Sequence, residues 1–220
     1  MRNRPLLLGH RGIRSVPSIP ENTFAAFDRA LEDGCDGFEF DVRLTRDGRA
    51  VVCHDPRYGN LTIAQVETSR VKELPILERV LERYASRAFL DIELKVAGLE
   101  GCVAAALESN FPTRGYVVSS FLPGVLSTIH ESGPDVPLGF ICDRGDRLAL
   151  WRGLPVQYVI PHWSLVSREF LEEAHAAGKS VFVWTVNADT DMERMAEWGV
   201  DGVISDDTRS LVRVLRRSPL

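Results

Sequence analysis

A chain of 220 residues, 45% of them hydrophobic, is long enough for one α/β domain and apolar enough to bury a large core. Its 26 Lys and Arg against 31 Asp and Glu give a net charge of −5, which excludes a general nucleic-acid binder because no basic surplus faces a phosphate backbone. No apolar run approaches the roughly 20 residues that span a bilayer, Pro5-Leu6-Leu7-Leu8 is too short for the apolar core of a signal peptide, and Cys35, Cys53, Cys102 and Cys142 form no CxxC pair, so a cytoplasmic protein with free thiols and no membrane span is expected.

Short apolar runs alternate with longer segments of helical period. Strands are expected over 6–10, 37–42, 50–54, 88–94, 116–119, 137–141, 157–160, 180–184 and 202–204, with helices starting near Asn22, Ile76, Leu99, Leu122, Arg144, Ser167, Asp189 and Asp207. Asn22 and Thr23 read as the cap of the first helix. Ser167-Arg168-Glu169 and the Asp189/Asp191 pair give two later helices the hydroxyl and acidic first turns that helix dipoles favour. Gly34, Gly178 and Gly199 each stand where a helix must stop. Thr45-Arg46-Asp47-Gly48 is a hairpin turn, so 37–42 and 50–54 should pair antiparallel. The remaining alternation of strand and helix implies a parallel sheet. About eight such units at a spacing of about 25 residues, with no GxGxxG after the first strand, favour a single-domain TIM (β/α)8 barrel over 1–220.

In a barrel, chemistry gathers at the carboxyl ends of the strands. His10 ends the first candidate strand. Glu39 and Asp41 stand at i and i+2, on one face of the second, and Glu93 and Lys95 repeat that spacing. Ser119-Ser120-Phe121, His162, Trp184-Thr185-Val186-Asn187 and Ser205-Asp206 close later strands. His130 and His175 fall in helical segments and read as surface residues. Two histidines can share one proton-transfer cycle, paired carboxylates can hold a hard cation, and an arginine can hold a phosphate, so the parts together suit metal-assisted cleavage of a phosphodiester.

Gly9-His10-Arg11-Gly12, Glu21-Asn22-Thr23, Glu39-Phe40-Asp41, the 45–48 turn and His54-Asp55 follow one another as in the glycerophosphodiester phosphodiesterase family. Glu93-Leu94-Lys95, Ser119-Ser120-Phe121, Trp184-Thr185-Val186-Asn187 and 202–206 continue the resemblance in order, over almost the whole chain. The resemblance implies a TIM barrel that hydrolyses glycerophosphodiesters to sn-glycerol 3-phosphate and an alcohol. It implies Glu39, Asp41 and Glu93 as metal ligands, with Glu21 as a fourth ligand or a neighbour, and all-oxygen ligation implies Mg²⁺ or Ca²⁺. It implies Arg11 and Lys95 on the phosphate and His10 and His54 as general acid and base, while His162 and Trp184 are candidates to line the pocket. The partner is then a small phosphodiester, with the oligomeric state left open.

One stretch departs from the family. Many members carry a long insertion after the HD motif, and here only 56–75 fills that place, with Pro56-Arg57-Tyr58-Gly59-Asn60 where an Arg-Thr-Thr stretch usually stands. A more open alcohol side follows, and with it a second reading, a lysophospholipase D-like hydrolase. A third reading, a catalytically silent barrel that binds a phosphorylated metabolite, is disfavoured by the presence of both histidines and all three candidate ligands.

Overall fold

In the computed structural model, residues 4–133 and 135–217 are described; the outermost residues of the expected 1–220 domain lie outside them. The chain closes a barrel of eight parallel strands: β1 (Leu6–Gly9), β2 (Gly37–Leu44), β6 (Phe89–Leu94), β7 (Tyr116–Ser120), β8 (Leu138–Cys142), β9 (Tyr158–Pro161), β10 (Ser180–Val183) and β11 (Gly202–Ser205). The first strand pairs with both β2 and β11, which closes the ring. As expected from the turn at 45–48, β3 (Ala50–Val52) lies antiparallel to β2. The helices α1 (Phe24–Asp33), α2 (Leu77–Tyr84), α3 (Glu100–Ser109), α4 (Pro123–Ser132), α5 (Gly145–Leu148), α6 (Arg168–Ala176), α7 (Asp189–Trp198) and α8 (Thr208–Arg217) alternate with the parallel strands, except that α1 follows β1 and α2 follows the hairpin region.

The strands are buried on both faces, and the period of two sorts their side chains into two cores. Phe38, Phe40 and Val42 of β2 and Leu90, Ile92 and Leu94 of β6 point outward and join the helices in one large apolar layer. Leu8, Phe89, Val117, Ile141, Ile160, Phe182 and Ile204 point inward and plug the barrel. Two glycines make room for the plug. A Cβ on Gly202 would lie 2.5 Å from the Phe182 ring, and one on Gly37 would meet the Phe89 backbone. Small residues beside large ones are how a barrel interior fills without voids. Above the plug, the same inward parity carries Glu39 and Asp41, then Asp91 and Glu93, so the chemistry sits directly on the apolar floor.

Local details differ from expectation for identifiable reasons. Thr23 alone caps α1, its hydroxyl accepting from the Ala26 N–H; Asn22 stands outside the helix at φ 58 and turns its amide into the barrel. The helix expected from Arg144 is only the single turn α5 followed by a 3-10 turn, Ala149–Gly153, because Pro155 disfavours helical backbone at Leu154. The hairpin strand stops at Val52 rather than 54, so His54 rides on the following loop. The 56–75 stretch is not featureless: β4 (Arg57–Tyr58) and β5 (Leu61–Thr62) form a small hairpin across a Gly59-Asn60 turn, with Gly59 at the positive φ such a turn needs. Ser167 caps α6, and Gly34 and Gly199 end α1 and α7 in left-handed conformation, as the sequence implies. Among the described residues no helix is long and apolar enough to cross a membrane.

Gly202→Ala should lower stability by about 1–3 kcal/mol, the usual cost of overpacking a filled core. Urea denaturation would measure it; an unchanged midpoint would mean that Phe182 has room to move.

Candidate active site

The loop from β1 to α1 delivers two site residues in a constrained shape. Arg11 adopts φ 53 and Gly12 φ 83, and the Arg11 N–H donates to Glu39 Oε2 at 2.9 Å. A left-handed non-glycine residue costs free energy and persists only where its surroundings fix it. His10 ends against β11: its Nδ1 lies 2.7 Å from Asp206 Oδ1, while Nε2 lies 3.9 Å from Glu39 Oε2. Asp206 also accepts from Arg14 Nη1 at 3.1 Å and Asn187 Nδ2 at 2.8 Å. Burial raises its carboxyl, but His10, Asn187 and Arg14 outweigh that and hold it well below the usual carboxylate range. An ionised Asp206 fixes a proton on Nδ1 and leaves Nε2 to the pocket.

Glu39, Asp41 and Glu93 are buried together, each offering one carboxylate oxygen within 4.8 Å of the others. The strand register causes this, because Glu39 stands opposite Asp91 and Asp41 opposite Glu93. Few groups answer so much charge. Lys95 Nζ is 2.5 Å from Glu93 Oε1 and 3.3 Å from Asp41 Oδ1, Arg11 Nε is 3.2 Å from Asp41 Oδ2, and Asn22 Nδ2 donates to Asp41 Oδ2 at 2.7 Å. Glu39 Oε1 is buried without a hydrogen-bond partner among the described residues, while Lys95 is shared between Glu93 and Asp41. Burial first, then Asp41 and Glu93, push the Glu39 carboxyl well above its ordinary value. Burial and Asp41 push Glu93 up to about 7 against the pull of Lys95. Asp41 itself is held low, since Lys95, Arg11 and Asn22 outweigh its burial. Three buried carboxylates whose oxygens gather within 4.8 Å of one another, against a single ammonium shared by two of them, fit a divalent cation bound by oxygen.

His54 stands across the same pocket, its Nδ1 2.8 Å from Asp55 Oδ1. Arg43 donates twice to the His54 carbonyl, at 2.8 and 2.6 Å, and so anchors the loop rather than joining the carboxylates. Burial holds the His54 imidazole below its ordinary pKa despite Asp41 and Asp55. Trp184 lines the pocket edge-on to Phe121, with ring centroids 5.5 Å apart, and Lys95 Nζ lies 5.6 Å from the Phe121 ring centroid. The cavity between these walls has a volume of about 90 Å³.

The structure thus brings His10, Arg11, Glu39, His54, Glu93, Lys95 and Trp184 to one pocket, with Asp41 beside it, grouped with Glu39 and Glu93. Two sequence candidates stand apart. Glu21 is outside the three-carboxylate group, its oxygens taken by Arg11 at 2.6 Å and Arg14 at 2.5 Å, so it orders the two arginines. His162 lies one ring behind Trp184, edge-on at 5.7 Å, with Nδ1 2.7 Å from Ser164 Oγ. Sequence reading assigned no role to Asp206, Asp91, Asn187 or Phe121. Asp206 and Asn187 follow strand ends like the other site residues. Asp91 was visible as a carboxylate two residues before Glu93 in an otherwise apolar strand.

Comparison with known proteins gives a consistent picture. Residues 10–210 match the Glycerophosphoryl diester phosphodiesterase family. A glycerophosphodiester phosphodiesterase of Caldanaerobacter subterraneus subsp. tengcongensis is 31% identical, over 97% of this chain and 99% of the relative. A crystal structure of a putative glycerophosphoryl diester phosphodiesterase from Silicibacter pomeroyi DSS-3 superposes with a TM-score of 0.87 at 25% identity, covering 97% of this chain and 93% of the other. An Oleispira antarctica phosphodiesterase, solved in complex with the product sn-glycerol-3-phosphate, shares the fold with a TM-score of 0.85 at 23% identity, over 97% of each chain.

The carboxylate shifts set a pH signature. A carboxyl raised in the folded state contributes its stability below the unfolded value, 4.5 for Glu93, and loses it as pH rises through about 7. Metal-free protein should therefore lose stability from Glu93 over that window. A divalent cation at these carboxylates would bind the ionised form and offset the loss. The gap in melting temperature with and without cation should widen from about pH 5 to about pH 8. Scanning calorimetry with and without chelator would check it; a gap that is absent, or equal at both pH values, would mean no cation binds these carboxylates.

Proposed function

Because the chain belongs to the glycerophosphoryl diester phosphodiesterase family and is an enzyme of that activity, we propose that it releases sn-glycerol 3-phosphate and an alcohol by acid–base catalysis between His10 and His54, with one Mg²⁺ or Ca²⁺ on Glu39, Asp41 and Glu93. One observation carries this reading: two imidazoles face a single pocket that also holds three convergent buried carboxylates and the two cations Arg11 and Lys95.

The division of labour follows from the geometry. Arg11 and Lys95 hold the phosphate oxygens and fix its orientation. When bound, the divalent cation supplies charge neutralisation at the phosphoryl oxygens and lowers the pKa of a bound hydroxyl. His54, kept neutral by burial, accepts the proton of the attacking hydroxyl. His10, braced through Nδ1 by Asp206, presents Nε2 to the leaving oxygen and donates to it. The attacking hydroxyl is either water or the substrate's own glycerol hydroxyl, which would give a cyclic phosphate first. Cys35 and Cys142 are buried free thiols, which suits a reducing compartment, and the cytoplasm is the proposed location.

The compact 56–75 segment, in place of a longer insertion, leaves the alcohol side open. Beside it runs a groove lined by Leu44, Pro56, Ile63 and Val96, with Arg43 and Arg46 at its edge. The groove supports a second reading, acceptance of larger apolar alcohols such as those of lysophospholipids, although no aromatic ring lines it.

His10→Ala and His54→Ala should each lower kcat by about 10²–10⁴-fold, and their effects should fall far short of additive if both serve one transfer cycle. Steady-state rates on glycerophosphocholine check this, and near-normal turnover in His54→Ala would take that residue out of the mechanism. Leaving alcohols should be poorly discriminated, with kcat/KM for choline, ethanolamine and glycerol diesters within about tenfold of one another. Side-by-side product assays, with lysophosphatidylcholine included, measure it; a preference above about a hundredfold for one alcohol would mean that other loops close the pocket.

A further inference from the structure

Below the phosphate-binding rim, Ile141, Ile160 and Ile204 form an apolar floor, and one polar side chain, Asp91, interrupts it. Asp91 is fully buried. Its Oδ1 accepts from Ser119 Oγ at 2.5 Å. Its Oδ2 is buried and has no hydrogen-bond partner among the described residues. Asp91 shares the inward face of β6 with Glu93 but sits one layer deeper, opposite Glu39, and stands outside the three convergent carboxylates.

A half-satisfied carboxylate beside isoleucines is expensive, and an apolar replacement of similar size is often neutral or stabilising. Such a group is tolerated where a ligand completes it. Arg11, Lys95, His10 and His54 hold the phosphate at the rim, so the three-carbon chain is the part of the substrate that reaches the floor. That chain has C–H surface and O–H donors, which match an isoleucine wall with a single free acceptor.

Resting on the proposed function, we infer that Asp91 reads the glycerol side of the substrate, its Oδ2 accepting a hydrogen bond from a glycerol hydroxyl while Ile141, Ile160 and Ile204 pack against the carbon chain. Asp91 is then the specificity residue of this pocket. Phosphate esters without that hydroxyl leave Oδ2 unpaired, and a site built to hydrogen-bond a hydroxyl rejects analogues that lack it.

The test is calorimetric titration of sn-glycerol 3-phosphate and of inorganic phosphate, in Mg²⁺, into the parent protein and Asp91→Leu. Loss of one buried acceptor should weaken glycerol 3-phosphate by about tenfold or more and change phosphate by less than about threefold. Equal weakening of both ligands, or weakening of neither, overturns the inference. If Asp91→Leu does not fold, Asp91→Ala removes the same acceptor without added bulk, the same split is expected, and its absence is equally fatal. Failure of the parent to hydrolyse any glycerophosphodiester would remove the proposed function instead, and the two binding titrations would still decide the role of Asp91.

Discussion

Four carboxylates on two neighbouring strands, Glu39, Asp41, Asp91 and Glu93, are buried together, with Arg11 and Lys95 in ion-pair contact with Asp41 and Glu93. Charge removed from water without full compensation is among the costliest features a fold can carry. Much of the surrounding structure answers it. Arg11 is bent into left-handed backbone so that its N–H reaches Glu39 and its guanidinium reaches Asp41 and Glu21. Asn22 leaves the helix cap to Thr23 and donates to Asp41. Ser119 turns its hydroxyl on Asp91. Even so, oxygens of Glu39 and Asp91 stay without partners, and the site is completed by what it binds.

The apolar interior makes this arrangement possible. The inward plug of Leu8, Phe89, Val117, Ile141, Ile160, Phe182 and Ile204 seals the barrel from below and lifts the polar layer to the carboxyl ends. Glycine at 37 and 202 lets Phe89 and Phe182 pack tightly enough to exclude water there. Water exclusion in turn keeps Glu39 and Glu93 raised and leaves their charge to be satisfied by a cation.

Most of the barrel was legible because its strands are apolar runs of fixed period, and the inward carboxylates declared themselves by the i, i+2 spacing of Glu39 with Asp41. The family motifs supplied what spacing could not, the association of His10 with His54 across 44 positions of sequence. What stayed hidden depended on contacts distant in the chain or on fine backbone geometry. Glu21 reads as either a ligand or a neighbour of the ligands, and only the fold shows Arg11 and Arg14 on its two oxygens. His162 reads as pocket-lining until Trp184 is seen to stand in front of it. Asp206 looks like one more strand-end acid until β11 closes against β1 and sets it on His10. The shortness of α5 and the 56–62 hairpin leave almost no periodic trace, being a proline-bounded turn and a two-residue ladder.

The contact between His10 and Asp206 joins residues 196 positions apart, from the first strand of the ring and the last. During synthesis at about 5–20 residues per second, His10 waits roughly 10–40 s for its partner to be made. Through that interval β1 has β2 on one side and an unpaired edge on the other. An exposed strand edge is then the main hazard of the nascent chain. Arrival of β11 removes that edge and sets Asp206 on the His10 imidazole in a single event, so that this contact reports completion of the ring.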